Sequence, residues 1–315
     1  MNIRHKLSIL NKWFKMMSGK STLHVEQGPG KVYNKEKIHG YYNDLTLKVK
    51  STINYDKEGI PINIRADGEK VYFPIAIFQY ALACYDLYLL TENKCYKEEF
   101  LNISEWALKK QDVLGEWDTF GVIGQSNVKK QSSMAQAEGA SVLARAYTLT
   151  NDYRFYENAI KAIDFMLLDI DSGGTTRYKN NNVFFEEFVS EASPTVLNGW
   201  IFSIFGLYDI YLLTNEEKYK HILDKSLNTL KENLKKYDCS YWSYYDMNKK
   251  MASPFYHNLH IAMLKVLYDL FGIDEFRIYE KKWKKYTRSK VNFYRAFIKK
   301  SLQKIRDTNE STIVG

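Results

Sequence analysis

The chain has 315 residues, 45% of them hydrophobic and 26% charged, which excludes a disordered or collagen-like polymer and leaves room for a sizeable core. Five prolines and 16 glycines are few for that length and exclude a loop-rich β-sandwich in favour of long helices. The net charge of +8 is unevenly placed: residues 1–20 carry +5 and residues 281–306 carry +11, with no acid in either stretch, so the rest of the chain holds −8.

The N-terminal segment comes first in chain order. Ile3, Leu7, Leu10, Phe14 and Met17 share one face of a basic amphipathic helix. No long apolar run follows, so a cleavable signal peptide is not expected, and nowhere do 18 apolar residues run together as a spanning helix requires. Cys84, Cys95 and Cys239 are an odd set at spacings that fit neither a zinc motif nor a disulfide framework, and read as reduced thiols of a cytoplasmic protein. Turn and short-strand signals, such as those from Gly28 to Asn34, mark residues 1–58 as an extension that wraps the body.

From residue 59 the chain repeats itself. Tyr85, Tyr147, Tyr208 and Tyr268 each sit near the end of an apolar helix, before a short polar turn and a second helix, and are 62, 61 and 60 residues apart. The first helix of each unit is apolar nearly all round and is therefore inner; the second is amphipathic and outer. This predicts an all-α fold: an α/α toroid, or incomplete barrel, of about four helical hairpins spanning 59–289, with an open solenoid as the competing arrangement. The connections from outer to inner helix (61–72, 114–139, 171–195 and 239–258) are long and rich in aromatic residues, glycine and acids. All four emerge at one end, where binding and catalysis are expected. Residues 290–315 form a basic tail whose Val291, Tyr294, Ile298, Leu302 and Ile305 again make a helical stripe. A basic amphipathic end suits the surface of an anionic membrane, and equally suits docking on the body. Nucleic acid is not expected, because the body is acidic and no recognition motif occurs.

Chemistry is sought on the long connections. Glu186 and Glu187 lie among Phe184, Phe185 and Phe188, where loss of water would raise a carboxyl toward a useful acid or base; a solvated pair at a helix start is the other reading. Gln136 and Glu138 begin a buried helix and are expected at the barrel mouth. Tyr241, Trp242, Tyr244 and Tyr245 crowd one connection, with Tyr256 opening the next inner helix, and fit either stacking on a sugar ring or packing as a lid. The chain as a whole holds 25 tyrosines, which suits a hydroxylated ligand. His257 and His260 share a helix face, but no third ligand converges on them, so no metal is expected.

These same blocks resemble a known family. The stretches 132–152, 186–211 and 244–270, together with 59–82, are similar to the C-terminal catalytic domain of the D-glucuronyl C5-epimerases and the region that precedes its β-domain. The likeness runs from about Gly59 to Ser289, without the β-sandwich that animal members insert. It implies inversion of C5 of a hexuronate within a poly- or oligosaccharide, with no cofactor and with a uronate-containing glycan, lipid-linked forms included, as partner. Carried over, Glu187 and Tyr256 stand as the two acid/base residues and Tyr245 assists. The substrate-binding set expected around them is Gln136, Glu138, Asn198, Tyr244, Asn248, His257 and His260. Two positions depart from the pattern: Phe188 replaces a tyrosine and Asn248 replaces an arginine, with Lys249 or Lys250 as substitutes for the lost cation. A polysaccharide lyase or unsaturated-uronyl hydrolase, and a glycan-binding barrel without activity, are the alternatives. A homodimer and contact with the inner face of a membrane stay open.

Overall fold

A computed structural model describes residues 11, 14–15, 21, 24–52, 54–125 and 127–306, the side chains of 305 and 306 excepted. The N-terminal stripe falls largely outside the described residues; of its members only Phe14 is described, and it is exposed. The expected toroid is present. Inner helices α2 (Pro74–Thr91), α4 (Ser133–Thr150), α6 (Leu197–Thr214) and α8 (Pro254–Phe271) each have 18 residues. A short helix, α1 (Leu47–Ser51), precedes them. Each inner helix is followed by an outer one: α3 (Lys94–Lys110), α5 (Tyr153–Leu167), α7 (Glu217–Asn233) and α9 (Asp274–Thr287).

The repeat explains itself in the turns. Every inner helix stops at a residue in the left-handed conformation, Glu92, Asn151, Asn215 or Gly272, whose N–H returns to the carbonyl four residues back. That cap ends the helix and reverses the chain at once. The outer helix then lies antiparallel on its partner. Successive inner helices pack side by side, and Gly206 of α6 faces the backbone of Ala137 in α4 so closely that a Cβ would lie 2.5 Å from the Ala137 oxygen. Helix α2 is apolar and long enough to span a membrane by length and composition, yet 67% of it is buried in the barrel. The row of inner helices does not close on itself. α2 and α8 pack on each other little, and Tyr41 and Tyr42 of the N-terminal extension fill the interior against Phe202 and Phe205.

One element went unforeseen. Strands β3 (Thr176–Lys179) and β4 (Asn182–Phe185) form an antiparallel hairpin inside a connection read as a loop; β1 (Asn63–Ile64) and β2 (Lys70–Val71) form a smaller one. The β3–β4 turn is Asn180–Asn181 with φ of 49° and 63°, the two-residue turn whose twist matches its strands. Helix α10 (Lys290–Arg306) closes the described chain. Ala296 is buried, and Gln303 both accepts from the Met251 N–H at 2.8 Å and donates to the Lys249 carbonyl, so α10 is seated on the connection between α7 and α8. All three cysteines are free thiols.

Candidate active site

Outer-to-inner connections meet above the N-termini of the inner helices and enclose a cavity of about 520 Å³. Four helix N-termini directed at one space favour negative charge there. Of the residues singled out from sequence, Glu187, Tyr245, Tyr256, Asn198 and Asn248 line this cavity.

The glutamate pair divides its work. Glu186 is fully buried and bound on every side: Arg177 donates to it at 2.5 and 3.0 Å, and Thr195 donates its hydroxyl at 2.7 Å and its N–H at 3.0 Å. Those bonds hold Thr195 at φ 42°, a strained setting for a β-branched residue. Glu186 is thus a structural clasp. Glu187 has no such help. It is 7% exposed, its Oε2 finds no hydrogen-bond partner among the described residues, and burial alone pushes its carboxyl up to about 8. Gly199 permits its position, since a Cβ there would lie 2.4 Å from Glu187 Oε2.

Two tyrosines face the same cavity. Their rings meet at 4.8 Å, and the Tyr245 hydroxyl bonds to that of Tyr256 in the sense that eases ionisation of Tyr256 and opposes it in Tyr245. Burial first, then the Glu187 charge, raises both phenols above their ordinary value of 10.0 and keeps them protonated. His24, from the extension, sets its Nε2 3.4 Å from the Tyr256 hydroxyl.

Four lysines also line the cavity: Lys48, Lys250, Lys300 and Lys304. Burial lowers Lys48 to about 8, with Glu138 pulling the other way. Of the two lysines expected to replace the missing cation, Lys250 lines the cavity with Asn248 and Lys249 does not. Lys300 is 7% exposed and, with Lys250, acts electrostatically on Asp246, whose carboxyl is raised by burial.

Other expectations are corrected by the packing. Gln136 does not reach the cavity: it accepts from the Trp117 N–H at 3.0 Å and donates to Gly115 and Ala162, pinning a loop. Glu138 stands one layer behind, taking a bond from cavity-lining Gln79 at 2.9 Å; its Oε2 has no partner among the described residues and its carboxyl is raised well above 4.5, by burial first. His257 and His260 lie outside the cavity, both bonded to the Ser243 hydroxyl, at 2.8 and 3.1 Å. The Ser243 N–H points at His257 Nδ1, so Nε2 carries the proton toward the Trp283 carbonyl. Burial drives His257 down to about 3, so both rings are neutral braces. Among the described residues no His, Cys, Asp and Glu cluster could hold a metal. Tyr244 lies in a separate surface groove with Tyr241 and Arg295, while Trp242 stacks on His257 at 3.7 Å. Of the crowded aromatic loop only Tyr245 meets the cavity; the rest is lid packing. Phe188 lines the cavity and stacks on Phe120 at 4.8 Å.

The chain resembles known proteins over much of its length. Residues 111–285 match the family described as D-glucuronyl C5-epimerase C-terminus. The chain belongs to that family. It is 26% identical over 197 residues to a D-glucuronyl C5-epimerase of Caenorhabditis elegans, covering 54% of this chain and 32% of that protein. It is 30% identical over 158 residues to an uncharacterised protein of Methanocaldococcus jannaschii, covering 49% of this chain and 51% of that one. The chain thus spans about a third of the first of these relatives and about half of the second. A glycoside hydrolase family 76 mannosidase of Bacteroides thetaiotaomicron superposes with a TM-score of 0.50 at 16% identity, over 76% of this chain and 64% of its own; that likeness is one of fold. The family's matched region carries the glutamate pair and both tyrosines. His24, Lys48, Lys300 and Lys304 fall outside it.

Proposed function

We propose that the protein inverts C5 of a hexuronate within a glycan, of the D-glucuronate to L-iduronate kind, by removing the C5 proton on one face and returning a proton on the other. The observation that carries this reading is Glu187: a buried, unpartnered carboxyl raised to about 8, beside a protonated tyrosine pair, in a cavity lined by lysines. Family membership supports it.

The chemistry accounts for each group. The C5 proton is alpha to a carboxylate, so its loss adds charge to a group already negative, and fixed cations must offset that charge. Lys250 and Lys300 serve there, with the inner-helix N-termini. Glu187 is a suitable base because a carboxylate stripped of water regains basicity, and near pH 7 roughly one molecule in ten is ionised. The C5–H bond breaks toward Glu187, and the O–H of Tyr256 delivers the new proton. The Tyr245 bond steadies the phenolate; Glu187 then gives up its new proton to solvent, and Tyr256 takes one back from solvent by way of His24, which restores both groups. In the reverse direction the two acid/base groups exchange roles. Asn198 supplies a carbonyl oxygen, buried and unpartnered, for a sugar hydroxyl. No carbon changes oxidation state overall.

The test is incubation with glucuronate-containing oligosaccharides in D2O, with NMR at C5. Deuterium at C5 in wild type, reduced about 10²- to 10⁴-fold by Tyr256→Phe, is expected. An ultraviolet-absorbing unsaturated product would assign a lyase instead. Binding without exchange on any uronate would leave a glycan-binding barrel.

A further inference from the structure

The two faces of α10 meet different surroundings. Its inner face holds Ala296, Lys300 and Gln303 against the barrel and brings Lys300 and Lys304 to the cavity. Its outer face carries Val291, Tyr294, Ile298 and Leu302, which are 75%, 61%, 59% and 51% exposed. Their spacing of three, four and four makes one unbroken row along the helix. Single exposed apolar residues are ordinary; a row of four marks a contact surface.

The charge beside the row decides its partner. Arg295 and Lys299 run parallel to it, Arg295 4.0 Å above the Tyr241 ring and Lys299 5.4 Å above that of Tyr244. From residue 281 to 306 there are eleven lysines and arginines and no acid. A protein surface would have to answer this with an unusually acidic, apolar-centred patch. An anionic lipid leaflet offers that pattern everywhere, with negative headgroups over an apolar interior. We propose that α10 lies in the surface of an anionic membrane, with Val291, Tyr294, Ile298 and Leu302 inserted and Arg295 and Lys299 at headgroup level. Because the same helix walls the cavity, docking would bring the cavity to the lipid surface, and on the function proposed above this suits a glycan still attached to a lipid carrier. The docking itself stands whether or not that function holds.

Co-sedimentation of the full chain with extruded vesicles tests it, using phosphatidylcholine alone against equal parts phosphatidylcholine and phosphatidylglycerol. Binding to the anionic vesicles, none to the neutral ones, and weakening with salt are expected. Ile298→Glu with Leu302→Glu should lower binding by more than about tenfold, and Arg295→Gln with Lys299→Gln should lower it several-fold and flatten its salt dependence. Unchanged melting temperature and C5 exchange would show that both variants keep the fold. No binding to anionic vesicles, or binding that survives both pairs of substitutions, would overturn the proposal. So would a dimer in light scattering that Ile298→Glu dissociates, since the row would then be covered by a second copy.

Discussion

The two ends of the barrel pair their buried charges to different degrees. At the short-turn end Asp86, Arg145 and Asp209 each occupy the thirteenth position of an 18-residue inner helix, so the fold brings them to one level. Arg145 spends all five N–H donors there: two on Asp209, at 2.6 and 3.3 Å, and one each on the carbonyls of His39, Gly40 and Ser141. Asp209 also takes the Tyr42 hydroxyl at 2.8 Å, and Asp86 takes the Tyr41 N–H at 2.8 Å. The knot ties the extension into three helices. At the cavity end Glu138, Glu187 and Asn198 each keep a buried oxygen with no hydrogen-bond partner among the described residues. A buried polar atom without a partner is costly, and the Arg145–Asp209 pair shows that this fold can satisfy a buried charge in full. On the function proposed above, the unpartnered oxygens of the open end are kept for a ligand's hydroxyls and acidic proton.

The largest effect should come from cutting the knot. Asp209→Ala leaves the buried Arg145 without its ion-pair partner and should cost about 3–5 kcal/mol in denaturant melts, while C5 exchange per folded molecule stays near wild type. Breaking the open end should do the reverse. Glu187→Gln should lower exchange by about 10²- to 10⁴-fold and raise stability. The sign follows from its folded value of about 8 against an ordinary 4.5: the fold favours the protonated acid, so its contribution is full below 4.5 and is lost as pH rises toward 8. The Gln variant should match wild type in acid and gain up to about 3 kcal/mol by pH 7. Equal stability across that window would contradict the buried carboxyl. Gly199→Ala, whose Cβ would press on Glu187 Oε2, should cost about 1–3 kcal/mol and about 10²-fold in exchange. Lys300→Gln should act least, lowering kcat about tenfold with KM altered less, and reducing the salt dependence of kcat/KM. A rise in KM alone would show that Lys300 holds the substrate's resting charge and not the charge added at C5.

Much of this was legible in the sequence, for stated reasons. All-round apolar runs ended by polar pairs read as inner helices with tight turns, and four of them at even spacing favour a toroid over the open solenoid that the same pattern allows. The β3–β4 hairpin escaped because its strands are four residues long; the Asn180–Asn181 pair was the available signal. The site was half legible. Glu187, Tyr245 and Tyr256 came from motif likeness, whereas nothing local shows that Glu186 finds Arg177 and Glu187 finds nothing. Gln136, Tyr244, His257 and His260 sit on the right segments but brace or pack them, which only the partner atoms reveal. His24, Lys48, Lys300 and Lys304 reach the cavity from segments that charge and periodicity set apart from the barrel. The α10 stripe was read correctly as a helix face, but local pattern does not say which face docks. Hydrogen bonds from Gln303 to the 249–251 backbone seat the other one.

The most direct test is the protonation of Glu187 itself, read as the carboxyl band in infrared difference spectra of wild type minus Glu187→Gln across pH. A carboxylic acid that persists through neutral pH and ionises near 8 is the predicted result. A carboxylate already formed near pH 4.5 would show that the cavity end is as well compensated as the other, and would remove the basis for proton transfer there.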